Sequence, residues 1–191
     1  MKNFKKFILI FFLFLTGCLK TTTLKNGYQK ASVNPKVFKN RIYFEKSIFS
    51  QIDTTVIYEQ YDDNYYEGFV KQENTLARFN YKNLNTIYAV YRFYGNGNYS
   101  LFHLDRNNAT LTGEMFNPDF TGWRGVLYVR EHKILGDLVT QVGQMSWEIG
   151  IEKQEFTVKG DTLFIERKHT QRLVYVKRQV NPELLQQHAD W

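Results

Sequence analysis

The chain has 191 residues, of which 43 % are hydrophobic and 17 % aromatic, with a formal net charge of +6 and a single cysteine. That length suits one domain with a sizeable core, and one cysteine excludes an internal disulfide framework. The charge is uneven: residues 1–17 carry +3, residues 19–44 carry +6 without one acidic residue, and residues 45–191 carry −3, so the basic balance gives no support to a nucleic-acid-binding domain.

The N-terminus runs from a basic start (Lys2, Lys5, Lys6) into nine apolar residues, Phe7 to Leu15. A membrane span needs about 20, whereas nine apolar residues behind lysines have the form of a secretory segment. Leu15-Thr16-Gly17-Cys18 follows. Together these residues resemble the signal peptide and lipobox of a bacterial lipoprotein. The resemblance implies cleavage before Cys18 and acylation of that cysteine. It also implies anchoring by more than one acyl chain, which holds a protein stably where one chain does not. Leu19 occupies the place of the aspartate that marks inner-membrane retention, and the first acidic residue is Glu45. By the same resemblance, the chain is expected in the cell envelope, on the periplasmic face of the outer membrane.

Residues 18–35 read as a lipidated tether, polar and turn-rich (Thr21-Thr22-Thr23, Asn26-Gly27, Asn34-Pro35); so little apolar surface does not offset the entropy of ordering. Residues 36–191 read as one domain. Val37, Phe38, Ile42 and Phe49 have spacing that suits a helical stripe. β-branched and aromatic runs then predict strands over Thr54–Tyr61, Ile87–Tyr94, Tyr99–Leu104, Arg124–Glu131, Ile134–Val142, Met145–Lys153, Phe156–Val158, Thr162–Lys168 and Gln171–Arg178. Between the first two, residues 62–84 read as a long polar-aromatic loop, and long loops in compact domains tend to be functional or disordered. Gly95-Asn96-Gly97 is a hairpin signal; Asp105 to Asn108, His132-Lys133, Gly143-Gln144, Gly160-Asp161 and His169-Thr170 mark further breaks. Met145, Trp147, Ile149 and Ile151 alternate with Ser146, Glu148, Gly150 and Glu152, predicting a half-buried strand. Asn181-Pro182 reads as the cap of a short C-terminal helix over Glu183–Trp191.

The expected fold class is therefore all-β, an up-and-down antiparallel meander that removes its edges by closing into a barrel. Behind a lipobox, this meander resembles the lipocalin-like domains of small Gram-negative envelope lipoproteins. The resemblance is carried by the Tyr-bearing first strand after Ile52-Asp53, by Arg92-Phe93-Tyr94-Gly95-Asn96-Gly97, by Trp147, and by Gly160-Asp161-Thr162-Leu163 with Tyr175-Val176-Lys177 closing. It implies a lipocalin-like barrel over about residues 52–178.

Catalytic patterns are weak. His103, His132, His169 and His188 have no zinc-site spacing, no serine sits in a Gly-x-Ser-x-Gly elbow, and Gly95-x-Gly97 lacks a following helix and reads as a turn rather than a phosphate loop. No cofactor, metal or enzymatic activity is expected. The aromatic content suits a barrel interior facing a mostly apolar ligand with a few polar groups. By alternation Tyr91, Phe93, Trp147 and Tyr175 are the candidate cavity-lining residues. The expected function is that of a membrane-anchored, non-enzymatic binding module for a small hydrophobic or amphiphilic ligand. The alternative is a packed scaffold that binds another envelope protein.

Overall fold

A computed structural model describes residues 21–27, 29–32, 34–62, 87–108, 110–142, 148–167 and 172–191. Ten strands are seen among them: β1 (Thr21–Thr23), β2 (Lys30–Ser32), β3 (Ile57–Asp62), β4 (Ile87–Phe93), β5 (Asn98–Asp105), β6 (Trp123–Arg130), β7 (Lys133–Gln141), β8 (Ile149–Lys159), β9 (Thr162–Arg167) and β10 (Arg172–Arg178). β3 to β10 pair in chain order, every pair antiparallel, and β10 returns to β3 to complete a closed eight-stranded barrel. The up-and-down barrel expected from the sequence is the fold. Closure leaves no edge strand. A register shift between Val174 and Tyr175 bends β10 at the seam. Beside it the Gln60 side-chain carbonyl accepts the Ala89 N–H at 2.7 Å, just past the last β3–β4 backbone pair, Glu59 with Val90.

The two ends of the barrel differ. At the hairpin end the strands are joined by short turns, residues 94–97, 131–132 and 160–161. Gly97 adopts φ 83° in the first, and Glu131 and His132 adopt φ 53° and 61° in the second, the left-handed pair that a two-residue hairpin of primed type requires. This end is closed by the segment that enters β3. Ile48 and Ile52 are each 1 % exposed and join the interior cluster, with Phe44 and Phe49 packed beside them. At the other end residues 63–86, 106–122, 142–148 and 168–171 connect the strands.

Two glycines let large rings into the interior. A Cβ on Gly125 would sit 2.2 Å from the Tyr99 ring, and one on Gly136 would sit 2.5 Å from Phe156 and 2.7 Å from the Tyr99 hydroxyl. Small residues opposite large ones are how a narrow barrel fills to native density.

Several details differ from the sequence reading. The segment expected as a tether contains the hairpin β1–β2, with Leu24 and Ala31 buried. Its Gln29 Oε1 accepts from Thr121 Oγ1 at 2.6 Å and from the Gly122 N–H at 2.7 Å, which fastens the hairpin to the start of β6. The helical stripe of residues 37–49 is instead three 3-10 turns, Pro35–Val37, Lys39–Tyr43 and Lys46–Ser50; Val37 and Phe38 are buried while Ile42 points outward. The C-terminal helix reduces to one 3-10 turn, Pro182–Leu185, because the tail's carbonyls are taken by the barrel wall instead. Buried Arg92 donates to the carbonyls of Phe116, Leu185 and Gln187, and Asn96 and Asn98 both donate to that of Ala189.

The outer wall is apolar where it is covered. Ile57, Tyr88, Val90, Phe102, Leu104 and Phe116 form a cluster under Leu184 and Leu185 of the tail. Val126 and Val139 lie under Val37, Phe38 and Trp191. Among the described residues no helix is long and apolar enough to cross a membrane.

Candidate functional site

The side chains on the inner face change character along the strands. Reading from the hairpin end, β8 presents Phe156, Gln154, Glu152; β9 presents Leu163, Ile165, Arg167; β5 presents Tyr99, Leu101, His103; and β3 presents Tyr58 then Gln60. The lower half is a dry aromatic plug. Phe93 lies 5.4 Å from Tyr58, 5.7 Å from Tyr99 and 5.7 Å from Phe156, ring centre to ring centre, mostly edge to face, a geometry that favours aromatic rings beyond their area of contact. The upper half sets polar groups, Glu152, Arg167, His103 and Gln60, among apolar ones, Ala89, Leu101, Leu138 and Leu173.

Gln154 forms the boundary. It is 2 % exposed, yet each half of its amide is satisfied. Its Oε1 accepts from the Tyr99 hydroxyl at 3.0 Å, and its Nε2 donates to Tyr91 Oη at 2.9 Å and to Glu152 Oε1 at 2.6 Å. A buried polar group is tolerated when it is so paired and is costly otherwise. Above it the Arg167 Nε lies 3.0 Å from Glu152 Oε1, with both side chains about a quarter to a third exposed. Arg167 is close enough to Tyr91 and Tyr175 to interact with both electrostatically.

The electrostatics follow the same division. Burial pushes the Tyr91 hydroxyl up to about 12 and the Tyr99 hydroxyl well above its ordinary value, so both stay neutral hydrogen-bonding groups. Burial works against the charge on Arg167, but Tyr91, Glu152 and Tyr175 outweigh it and hold its pKa above the ordinary value. His103, exposed at the upper rim of the inner face, is held below its ordinary pKa by surrounding protein and by Arg167. The group thus offers one fixed cation, one carboxylate, neutral hydroxyls, an amide and a neutral imidazole around the upper interior. Its one cation is paired with its one carboxylate, so the group presents hydrogen-bonding partners without net charge.

Of the candidate cavity-lining residues, Tyr91, Phe93 and Tyr175 are on the inner face and at most 1 % exposed. Tyr91 touches Tyr175 edge to face at 4.9 Å and stacks on Phe93 at 6.1 Å, so these rings fill the barrel at their level. Trp147 and Cys18 lie outside the described residues. The alternation that singled out Trp147 also placed Ile149 and Ile151 on the buried face, and this is corrected. Ile151 is 38 % exposed, Ile149 packs under the outer cluster of Val37 and Phe38, and Glu152 and Gln154 point inward. The sequence did carry a signal for this. Taken as one strand, residues 149–159 place Phe156 in phase with Gln154 and Glu152.

The outer wall carries a second concavity, a cleft of about 830 Å³ between β3, β4, the start of the β5–β6 connection and the tail. Glu59 receives Arg106 at 2.8 Å and Arg178 at 2.6 Å, and the Arg106 guanidinium lies 4.0 Å above the Tyr88 ring. With Asp105 also in the lining, its two cations meet two carboxylates and no charge is left over for a ligand. Among the described residues no three His, Cys, Asp or Glu side chains gather as a metal site. No protein-family model, curated protein or solved structure matches the chain.

Proposed function

We propose that this chain is an envelope lipoprotein, anchored through Cys18, whose barrel holds a small amphiphilic molecule at the long-connection end without acting on it chemically. One observation carries the reading: the interior turns from aromatic to partly polar halfway along, with Glu152, Gln154 and Arg167 set above the plug formed by Phe93, Tyr99 and Phe156. The Arg167–Glu152 pair is only partly solvated, and it stands at the mouth where a ligand's polar group would meet it. A ligand whose polar group reaches Arg167 and whose apolar part lies among the upper walls would use those groups. The first 18 residues support the address and the anchor.

The test is titration of the chain comprising residues 19–191 with anilinonaphthalene sulfonate, an anionic amphiphile, beside an Arg167→Met variant. The proposal expects saturable fluorescence enhancement at one site per chain, weakened at least about tenfold in the variant, the equivalent of one charge-assisted contact. Absence of saturable binding, or equal binding by both proteins, counts against it. A second reading is favoured by the completeness of the plug, in which Tyr91, Phe93 and Tyr175 leave no room at their level. In that reading the barrel is a packed scaffold for another envelope protein, and cross-linking in the intact envelope would find the partner.

A further inference from the structure

Among the described residues Ile42, Tyr43, Ile87, Val142 and Ile151 are large apolar side chains left exposed, and of these Ile42 is the barest and Tyr43 is its neighbour in the chain. Ile42 is 80 % exposed and Tyr43 48 % exposed, side by side in the turn Lys39–Tyr43. Nothing in the fold explains leaving an isoleucine this bare, and the turn is rigidly mounted. Asn40 donates to buried Asp137 at 2.9 Å, Arg41 donates to Asn98 at 2.7 Å, and Phe44 packs on Gly97 of the β4–β5 hairpin. The turn therefore lies against the outer wall of β6 and β7, with Phe44 beside it reaching the β4–β5 hairpin.

Its surroundings are basic. Lys36, Lys39 and Lys46 are exposed around it, and Glu45 is the only acidic residue between positions 19 and 52. Two exposed apolar side chains are far too few for a protein interface, which takes about 800 Å² from each partner, and a second copy would bring lysines against lysines. An anionic bilayer matches both properties. Tyrosine settles at the headgroup level, an apolar side chain beside it reaches the acyl boundary, and surface lysines are attracted by the negative leaflet.

We propose that the Lys39–Tyr43 turn is a membrane-docking tip, inserting Ile42 and Tyr43 into an anionic lipid surface while Lys36, Lys39 and Lys46 lie on the headgroups. The proposal does not depend on lipid at Cys18; a lipid there adds a second attachment.

The chain 19–191, which lacks Cys18, isolates this contact from lipidation. It is sedimented with vesicles of phosphatidylglycerol and phosphatidylethanolamine and with vesicles of phosphatidylcholine alone. Binding is expected for the anionic vesicles, falling at least about tenfold in Ile42→Ser/Tyr43→Ser and at least about tenfold in a variant with the three lysines changed to glutamine. Hydrogen exchange on the unaltered chain gives an independent reading: anionic vesicles should protect residues 39–46 and leave the strands unchanged. Failure to bind either vesicle, undiminished binding by the Ile42/Tyr43 variant, protection elsewhere but not at 39–46, or burial of the tip in a dimer seen by sedimentation would each overturn it.

Discussion

The lower and upper halves of the barrel interior are lined by the same strands and obey different rules. Below, Phe93, Tyr99 and Phe156 meet ring to ring, and Gly125 and Gly136 stand opposite to admit them; the order there comes from volume. Above, Gln154 is ordered by direction, its amide aimed at Tyr91 and Glu152, and Arg167 lies within ion-pair distance of Glu152. The difference teaches that one closed sheet can be filled by volume in one part and by directed polar contacts in the next, with the boundary at the Gln154 amide.

The comparison is most easily broken in the plug. Phe156→Ala, which empties a volume shared with Tyr91, Phe93 and Tyr99, should cost about 3–5 kcal/mol in urea unfolding; a cost under about 1 kcal/mol would mean that the lower half is not close-packed. At the boundary, Gln154→Leu keeps the volume but removes the partner of the Tyr99 hydroxyl and one partner of Tyr91. A loss of about 1–3 kcal/mol is expected from those buried groups, measured by the same unfolding. In the upper half Arg167→Met should cost about 1 kcal/mol or less, because the pair with Glu152 is partly solvated. On the proposed function its larger effect is on ligand affinity. If Arg167→Met unfolds the chain as Phe156→Ala does, the two halves are not distinct.

The smallest effect sharpens the comparison through pH. His103, although exposed at the rim, has its folded-state pKa lowered, first by the surrounding protein, which desolvates its charged form, and then by Arg167. The unfolded chain therefore binds more protons at this position near its ordinary pKa of about 6.5. Stability should then rise as pH rises through that region and fall as it is lowered. His103→Gln should flatten this part of the profile, read from unfolding midpoints between pH 5 and pH 8, and an unchanged slope would place the titration elsewhere.

Much of the barrel was legible because its signals are local. Alternation and turn residues place β4 to β7, β9 and β10 within a residue or so at each end, and Gly95-Asn96-Gly97 marks a turn for the reason that it forms one: Gly97 supplies the positive φ. What was not legible depends on cover. Ile149 and Ile151 look like core residues because alternation cannot say which face another segment will cover. Here segment 35–41 and Trp191 cover part of the outer wall of β6 to β8, so the apolar face turns outward and the polar face inward. The polar interior was invisible for a related reason. Gln154 finds its partners at Tyr91 and Tyr99, 63 and 55 residues away, and no local pattern announces that meeting. The hairpin β1–β2 was hidden in the same way, since Gln29 is a turn-flanking glutamine until Thr121 and Gly122 arrive 92 and 93 residues later.

The most direct test of a ligand-holding upper interior is native mass spectrometry of the chain 19–191 recovered from its own host under mild conditions, with extraction of whatever it retains. The account predicts one amphiphilic molecule per chain, present in the unaltered protein and absent or depleted in Arg167→Met. An unaltered chain that carries nothing would contradict it and turn the barrel into a scaffold; retention equal in both proteins would contradict the role given to Arg167.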